Sequence, residues 1–186
     1  QSVSFTFSVT SSDGKTASYK MGPYTISKMS IKKNLAVSNG ANAFISIEDM
    51  AVYNAAAAAA TPGKIDLVYL FRAAPTTFTH ALVSPAADAA YLPGVTLPAG
   101  LNRSTKLRKV FNLQDRNLAN LQFGIYVDDV DLINVDMVDM PNYAIGLRAE
   151  AGVWVETADK KYRAYIFVNS INAAGTAVIS MLRYAL

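Results

Sequence analysis

The chain opens on a period of two. Val3, Phe5, Phe7 and Val9 alternate with Ser2, Ser4, Thr6 and Ser8, and because successive side chains of an extended backbone point to opposite sides, the pattern predicts a strand with one face buried and one wet. Asp13-Gly14 supplies a turn. The chain then returns through Thr16 to Met21, breaks at Gly22-Pro23 and offers another strand from Tyr24 to Ile31. Phe44 to Ile47 and Met50 to Tyr53 are two further short strands, parted by Glu48-Asp49, where charge favours a turn. The first third therefore reads as antiparallel β.

At Asn54 the pattern changes. Its side-chain oxygen can accept from the free amides of a first helical turn, and Ala55 to Ala60 is the best helix-forming run available. Pro62-Gly63 ends the helix. So short a helix must be held by packing, which its small side chains permit at close range. The following strand sets Ile65, Leu67, Tyr69 and Phe71 on one side and Val68 and Leu70 on the other; apolar on both faces, it belongs in the middle of a sheet. From Ala73 to Gly100, Pro75, Pro85, Pro93 and Pro98 interrupt regular structure. That stretch reads as a long ordered loop with at most a helical turn at Ala86 to Tyr91. Asn112 begins a second short helix over Leu113 to Leu121, and Gly124 parts it from an acidic, apolar stretch. Val153 to Thr157, Tyr162 to Ile171 and Thr176 to Tyr184 form an antiparallel meander with turns at Ala158-Asp159-Lys160 and Asn172 to Gly175.

Composition narrows the choices. The 186 residues suit one domain, 1–186, and the 52% apolar fraction against 17% charged is that of a chain with a real core. The absence of cysteine excludes disulfides, thiolate nucleophiles and cysteine metal sites, and the single histidine, His80, cannot build a multi-histidine site. No cofactor is implied. A net charge of +3 with scattered basic residues does not make a nucleic-acid footprint. No apolar run reaches the roughly 20 residues that span a bilayer. A chain starting at Gln1 reads as a processed protein or a trimmed one, and the processed reading places it outside the cytoplasm, whether secreted, periplasmic or on the cell surface.

Three segments carry a resemblance. AVYNAAAAAATPGKIDLVYLF holds Val52, Tyr53, Ile65 and Asp66 around an alanine-rich helix; ALVSPAADAA holds Leu82, Ser84, Pro85 and Asp88, followed by NRSTKLRK; and TADKKYRAYIFVNSI forms a turn and the strand after it. Together they resemble a group of secreted Bacteroidetes proteins whose function is not established. Lys160 stands where that turn usually has glycine, and Leu107 where an aromatic residue is usual. The resemblance implies a secreted or surface-exposed domain and brings no catalytic residues with it.

Candidate chemistry is sparse. Asp128, Asp129, Asp131, Asp136 and Asp139 are the densest acidic cluster and could serve calcium, which takes several carboxylate oxygens, although no EF-hand spacing is present; the bland alternative is the wet face of an amphipathic element. Asp66 could be a general base with a raised pKa or a structural ion-pair partner. Glu156 and Asp159 could form a glycosidase pair. Trp154, Tyr162 and Tyr165 could stack on sugar rings or fill a core. Arg103, Lys106, Arg108 and Lys109 are the one basic cluster, on a strand face or loop flank. The expectation is one α+β domain, mostly antiparallel β in two packed sheets or a partly closed barrel, with two or three short inserted helices; an all-β sandwich is the alternative. The expected role is a non-enzymatic binding or structural module for a glycan or another surface protein, with a hydrolase using paired carboxylates as the alternative.

Overall fold

Strands apolar on both faces need a cover on each side, and the fold supplies it by stacking layers. The computed structural model describes residues 2–73, 79–110 and 127–186. The helix expected at 113–121 and Gly124 lie outside the described residues.

One five-stranded antiparallel sheet has the order β3-β12-β11-β10-β8, built from β3 (Met29–Ser38), β8 (Lys106–Val110), β10 (Gly152–Glu156), β11 (Tyr162–Ile171) and β12 (Thr176–Ala185). The other has the order β5-β4-β6-β7-β9, from β4 (Phe44–Ser46), β5 (Ala51–Tyr53), β6 (Leu67–Phe71), β7 (His80–Val83) and β9 (Tyr143–Ala144). The two pack face to face. Val153, Val155, Ala164, Ile166, Val168 and Met181 of the first sheet meet Ile45, Leu67, Tyr69 and Leu82 of the second. Ile166 is fully buried, and a side chain of that size contributes about 1.5–3 kcal/mol on leaving water.

Each outer face has its own cover. Phe44, Val68, Leu70, Ala81 and Val83 pack beneath Ala58 and Leu101, with α1 (Ala55–Ala60) and the segment through Val95 and Leu97 lying over them. Trp154, Tyr165, Phe167 and Leu182 pack beneath Leu132 of α2 (Asp129–Asn134). The alternation of β6 is thus doubly buried, as its sequence predicts. Ile65 departs from the expected side and joins the outer cluster, because regular strand geometry begins only at Leu67.

Three expectations change. Among the described residues β1 (Ser2–Thr10) and β2 (Thr16–Thr25) pair only with each other, and the apolar face predicted to be buried lies open: Phe7 is 57% and Val9 68% exposed. No second layer comes over it among the described residues. Gly22-Pro23 does not end its strand either, since Gly22 takes φ +108° and a register shift opposite Val3 and Phe5 absorbs the irregularity; the break falls at residues 26–28, before β3. Finally, the proline-rich stretch contains β7, four residues buried on both faces, with a 3-10 turn at Ala89–Tyr91 where a helical turn was expected.

Candidate functional site

The residues singled out in the sequence gather mainly around two arginines. Arg103 places Nε 2.9 Å from Asp66 Oδ1 and Nη2 3.0 Å from Asp159 Oδ1, so one guanidinium joins two carboxylates. Asp66 is buried, and its Oδ2 accepts from the Ile47 amide at 2.8 Å. Burial pushes its carboxyl up to about 6, against the Ile47 amide and Arg103, which pull the other way. At Asp159 burial also pushes upward, but the Thr157 hydroxyl, the Lys161 amide and Arg103 outweigh it and hold the carboxyl at about 2. The second arginine, Arg163, reaches Glu156 Oε2 with Nε at 3.0 Å and Nη2 at 2.9 Å, and its Nη1 donates to the carbonyls of Leu132 and Ile133 at the end of α2. Glu156 and Asp159 are thus each paired with a different arginine.

Ser84 and Asp88 are also structural. The Ser84 hydroxyl donates to the Arg103 carbonyl and accepts from the Thr105 amide at 2.9 Å, while Asp88 accepts from Ala90 N at 2.8 Å. These bonds fix the backbone from which Arg103 projects. His80 is a core histidine: its Nδ1 lies 2.7 Å from the Tyr69 hydroxyl, and burial lowers its pKa and raises that of Tyr69 to about 12.

The acidic cluster caps a helix. Asp128 accepts from the amides of Val130 and Asp131, and Asp131 accepts in return from the Asp128 amide, a reciprocal capping box. Asp129 sits in the same first turn. Among the described residues no group of three or more His, Cys, Asp or Glu side chains is placed to hold a metal ion, and Asp128 and Asp131 serve backbone amides. The aromatic candidates lie on two sides of the sheet. Trp154 and Tyr165 lie with ring centroids 4.9 Å apart and are 8% and 0% exposed, so neither offers an open ring face for a sugar. Tyr162 lies on the opposite side of β11, under the Arg183 guanidinium at 5.0 Å. The basic cluster is dispersed onto carbonyls: Lys106 donates to Met137 at 3.0 Å, Arg108 to Asp136 at 3.3 Å and Lys109 to Ile145 at 2.6 Å.

The recess that sequence reasoning did not find lies on the outer side of the second sheet. A cleft of about 520 Å³ is lined by residues that include Asn39, Phe44, Leu70, Phe71, Arg72 and Thr96, within the ~300–1,000 Å³ range of small-molecule sites. Asn39 fixes one wall, donating its amide to the Gly175 carbonyl at 2.9 Å and accepting from Phe71 N at 3.1 Å. The Phe71 ring is held between His80, 4.8 Å away, and the backbone of Gly175, where a Cβ would fall 2.7 Å from the ring and where φ is +78°. Only glycine suits that contact. Arg72 is exposed beside it. Aromatic, amide, hydroxyl and basic residues thus share one lining with the apolar Phe44, Val68 and Leu70. The contributing residues are spread from 39 to 96, and no local motif marks them.

The fold defines a class: mostly antiparallel β in two packed sheets with two short helices on their outer faces, the α+β arrangement expected. Residues 27–186 match the family described as domain of unknown function (DUF8576), and the chain belongs to that family. The match begins immediately after the first hairpin. No curated protein matches the chain. It is similar to a solved structure, a DUF4466 family protein from Parabacteroides merdae ATCC 43184, with a TM-score of 0.84 and 40% identity. The match takes in the whole of this chain and 63% of that protein's length.

Proposed function

We propose that the domain is a non-enzymatic binding module acting outside the cytoplasm, and that the cleft beside Phe71 takes a glycan segment. The observation that carries this reading is a cleft of about 520 Å³ whose lining includes Asn39, Phe44, Phe71, Arg72 and Thr96. A sugar offers an apolar ring face and a rim of hydroxyls, and it asks a protein for a rigid aromatic surface next to hydrogen-bonding groups. The pairing of Glu156 with Arg163 and of Asp159 with Arg103 favours binding over hydrolysis. The extracytoplasmic placement rests on the resemblance of the Val-Tyr, Ile-Asp and Ser-Pro segments to secreted proteins.

A thermal-shift screen against mono- and oligosaccharides tests the reading, since a ligand of the folded state adds about 2.7 kcal/mol at 100 times its Kd. We expect one glycan class to raise the melting temperature and Phe71→Ala to abolish that rise while the unliganded protein stays folded. A panel without any shift, or a shift that survives Phe71→Ala, overturns it.

A further inference from the structure

The first hairpin is a ribbon with two unlike faces. Register places Val3 opposite Tyr24, Phe5 opposite Met21, Phe7 opposite Tyr19 and Val9 opposite Ala17. These eight side chains share one face, and the Phe5 and Tyr24 rings meet at 6.2 Å. The pairs Ser2–Thr25, Thr6–Lys20, Ser8–Ser18 and Thr10–Thr16 make the other face wholly polar. Such segregation is the pattern of a strand pair that packs on something, yet Phe5, Phe7, Val9, Tyr19, Met21 and Tyr24 are 39–68% exposed, and among the described residues no other strand pairs with either edge. An isolated two-stranded hairpin is at best marginal in water.

We propose that this face is a dimer interface, and that its occupant is the same face of a second copy of the chain. Size is the first argument. Aromatic side chains present ~150–250 Å² each when fully open, so at about half exposure the four here, with Val9 and Met21, leave roughly 550 Å² open, and two copies together bury about 1,100 Å², above the ~1,000 Å² that a biological interface should clear. Symmetry is the second. A two-fold contact sets a surface against itself, so any charge on it meets its own like; this face carries none, and the one charge among the paired positions, Lys20, points away on the polar side. Face-to-face stacking of two ribbons produces a two-layer, four-stranded unit that buries both apolar faces and leaves both Ser/Thr faces in water. The contact is separate from the cleft beside Phe71 and does not depend on what that cleft binds.

Sedimentation equilibrium of the chain across roughly 1–100 µM reads the contact directly. A dimer whose dissociation constant rises at least tenfold in the Phe7→Ser/Tyr19→Ser double variant is the expected result. The near-UV signal of Trp154, the only tryptophan, reports that the sandwich is unchanged. Because the chain has no cysteine, single substitutions add a second reading. Mild oxidation should cross-link Tyr19→Cys, whose side chain lies on the apolar face, and leave Ser8→Cys, on the polar face, uncross-linked. Three results each overturn the proposal: a monomer at the highest concentration, which assigns the face to a partner other than this chain; a dimer indifferent to the double substitution; or cross-linking as efficient through Ser8→Cys as through Tyr19→Cys.

Discussion

The first hairpin and the C-terminal meander are made of similar local chemistry and have opposite surroundings. Both turn on an Asp-x-Lys segment, SSDGKTASY at 11–19 and TADKKYRAY at 157–165. β11 sends Ala164, Ile166 and Val168 into the core between the sheets and Tyr165 and Phe167 into the core under α2. β1 presents Phe5, Phe7 and Val9 to the outside. Their turns differ in the same way. Asp159 is tied through Arg103 to buried Asp66, whereas Asp13 has Lys15 at 2.9 Å with both side chains more than half exposed, a pairing that solvent screens. Alternation thus specifies an extended chain with two unlike faces. Whether the apolar face is buried depends on a layer supplied from elsewhere. Apolarity on both faces carries more information, because it states that two layers are present.

The contrast can be broken most forcefully at matched phenylalanines. Phe167→Ala should cost about 3–5 kcal/mol in a urea titration, while Phe7→Ala, measured near ~1 µM where copies are apart, should stay within about 0.5 kcal/mol; equal losses would end the distinction. Next comes Arg103→Met, which leaves Asp66 buried without its cation and should cost roughly 3 kcal/mol, the low end for a broken buried pair because Asp66 can take up a proton. Asp13→Ala should leave stability unchanged.

The shared arginine also ties the meander to a pH signature at buried Asp66, whereas the lowered pKa of Asp13 in the hairpin belongs to an exposed group whose interactions solvent screens. The folded pKa of Asp66, about 6, lies above its ordinary value of 3.8, so its contribution is fully present below 3.8 and lost as pH rises through about 6. Asp159, held at about 2, works in the other direction, and its contribution is lost only as pH falls from 3.8 towards 2. Stability should therefore decline between pH ~4 and ~6 by an amount on the order of 2–3 kcal/mol, and Asp66→Asn should flatten that decline. The smallest effect belongs to the cover of the meander. Asp128→Ala removes the cap of α2 and should cost about 1 kcal/mol, with Trp154 emission shifting to the red as its face loosens. An unchanged spectrum would mean that α2 does not shield the meander.

Where the determinants are local, the sequence is a good guide. Asn54 accepts from the Ala57 amide at 2.9 Å, as a cap before an alanine run should, and the two-sided pattern of residues 67–70 marks the middle strand of its sheet. β7 escaped notice because four apolar residues between prolines look no different from an apolar loop. The site was less legible. Asp66, Arg103 and Asp159 each stand out in the sequence, but the guanidinium that joins them spans separations of 37 and 56 positions by their numbering. The wall of the cleft needs Asn39 to hold both Phe71 and Gly175, three positions with no shared motif. In Trp154 and Tyr165 the aromatic signal was real, but its physical cause was packing.

The two rims of the first hairpin are guarded unequally. The β2 rim carries Lys20, an irregular backbone at Gly22 and a proline at 23 that offers no N–H, each of which discourages another strand from zipping on. The β1 rim, SVSFTFSVT, has no charge, no proline and no glycine, and it alternates bulky and hydroxyl side chains, a composition favourable to cross-β stacking. If copies of this chain ever assemble without limit, growth has an obvious starting point: the unprotected hydrogen-bonding groups of β1, where one added strand presents a fresh edge to the next.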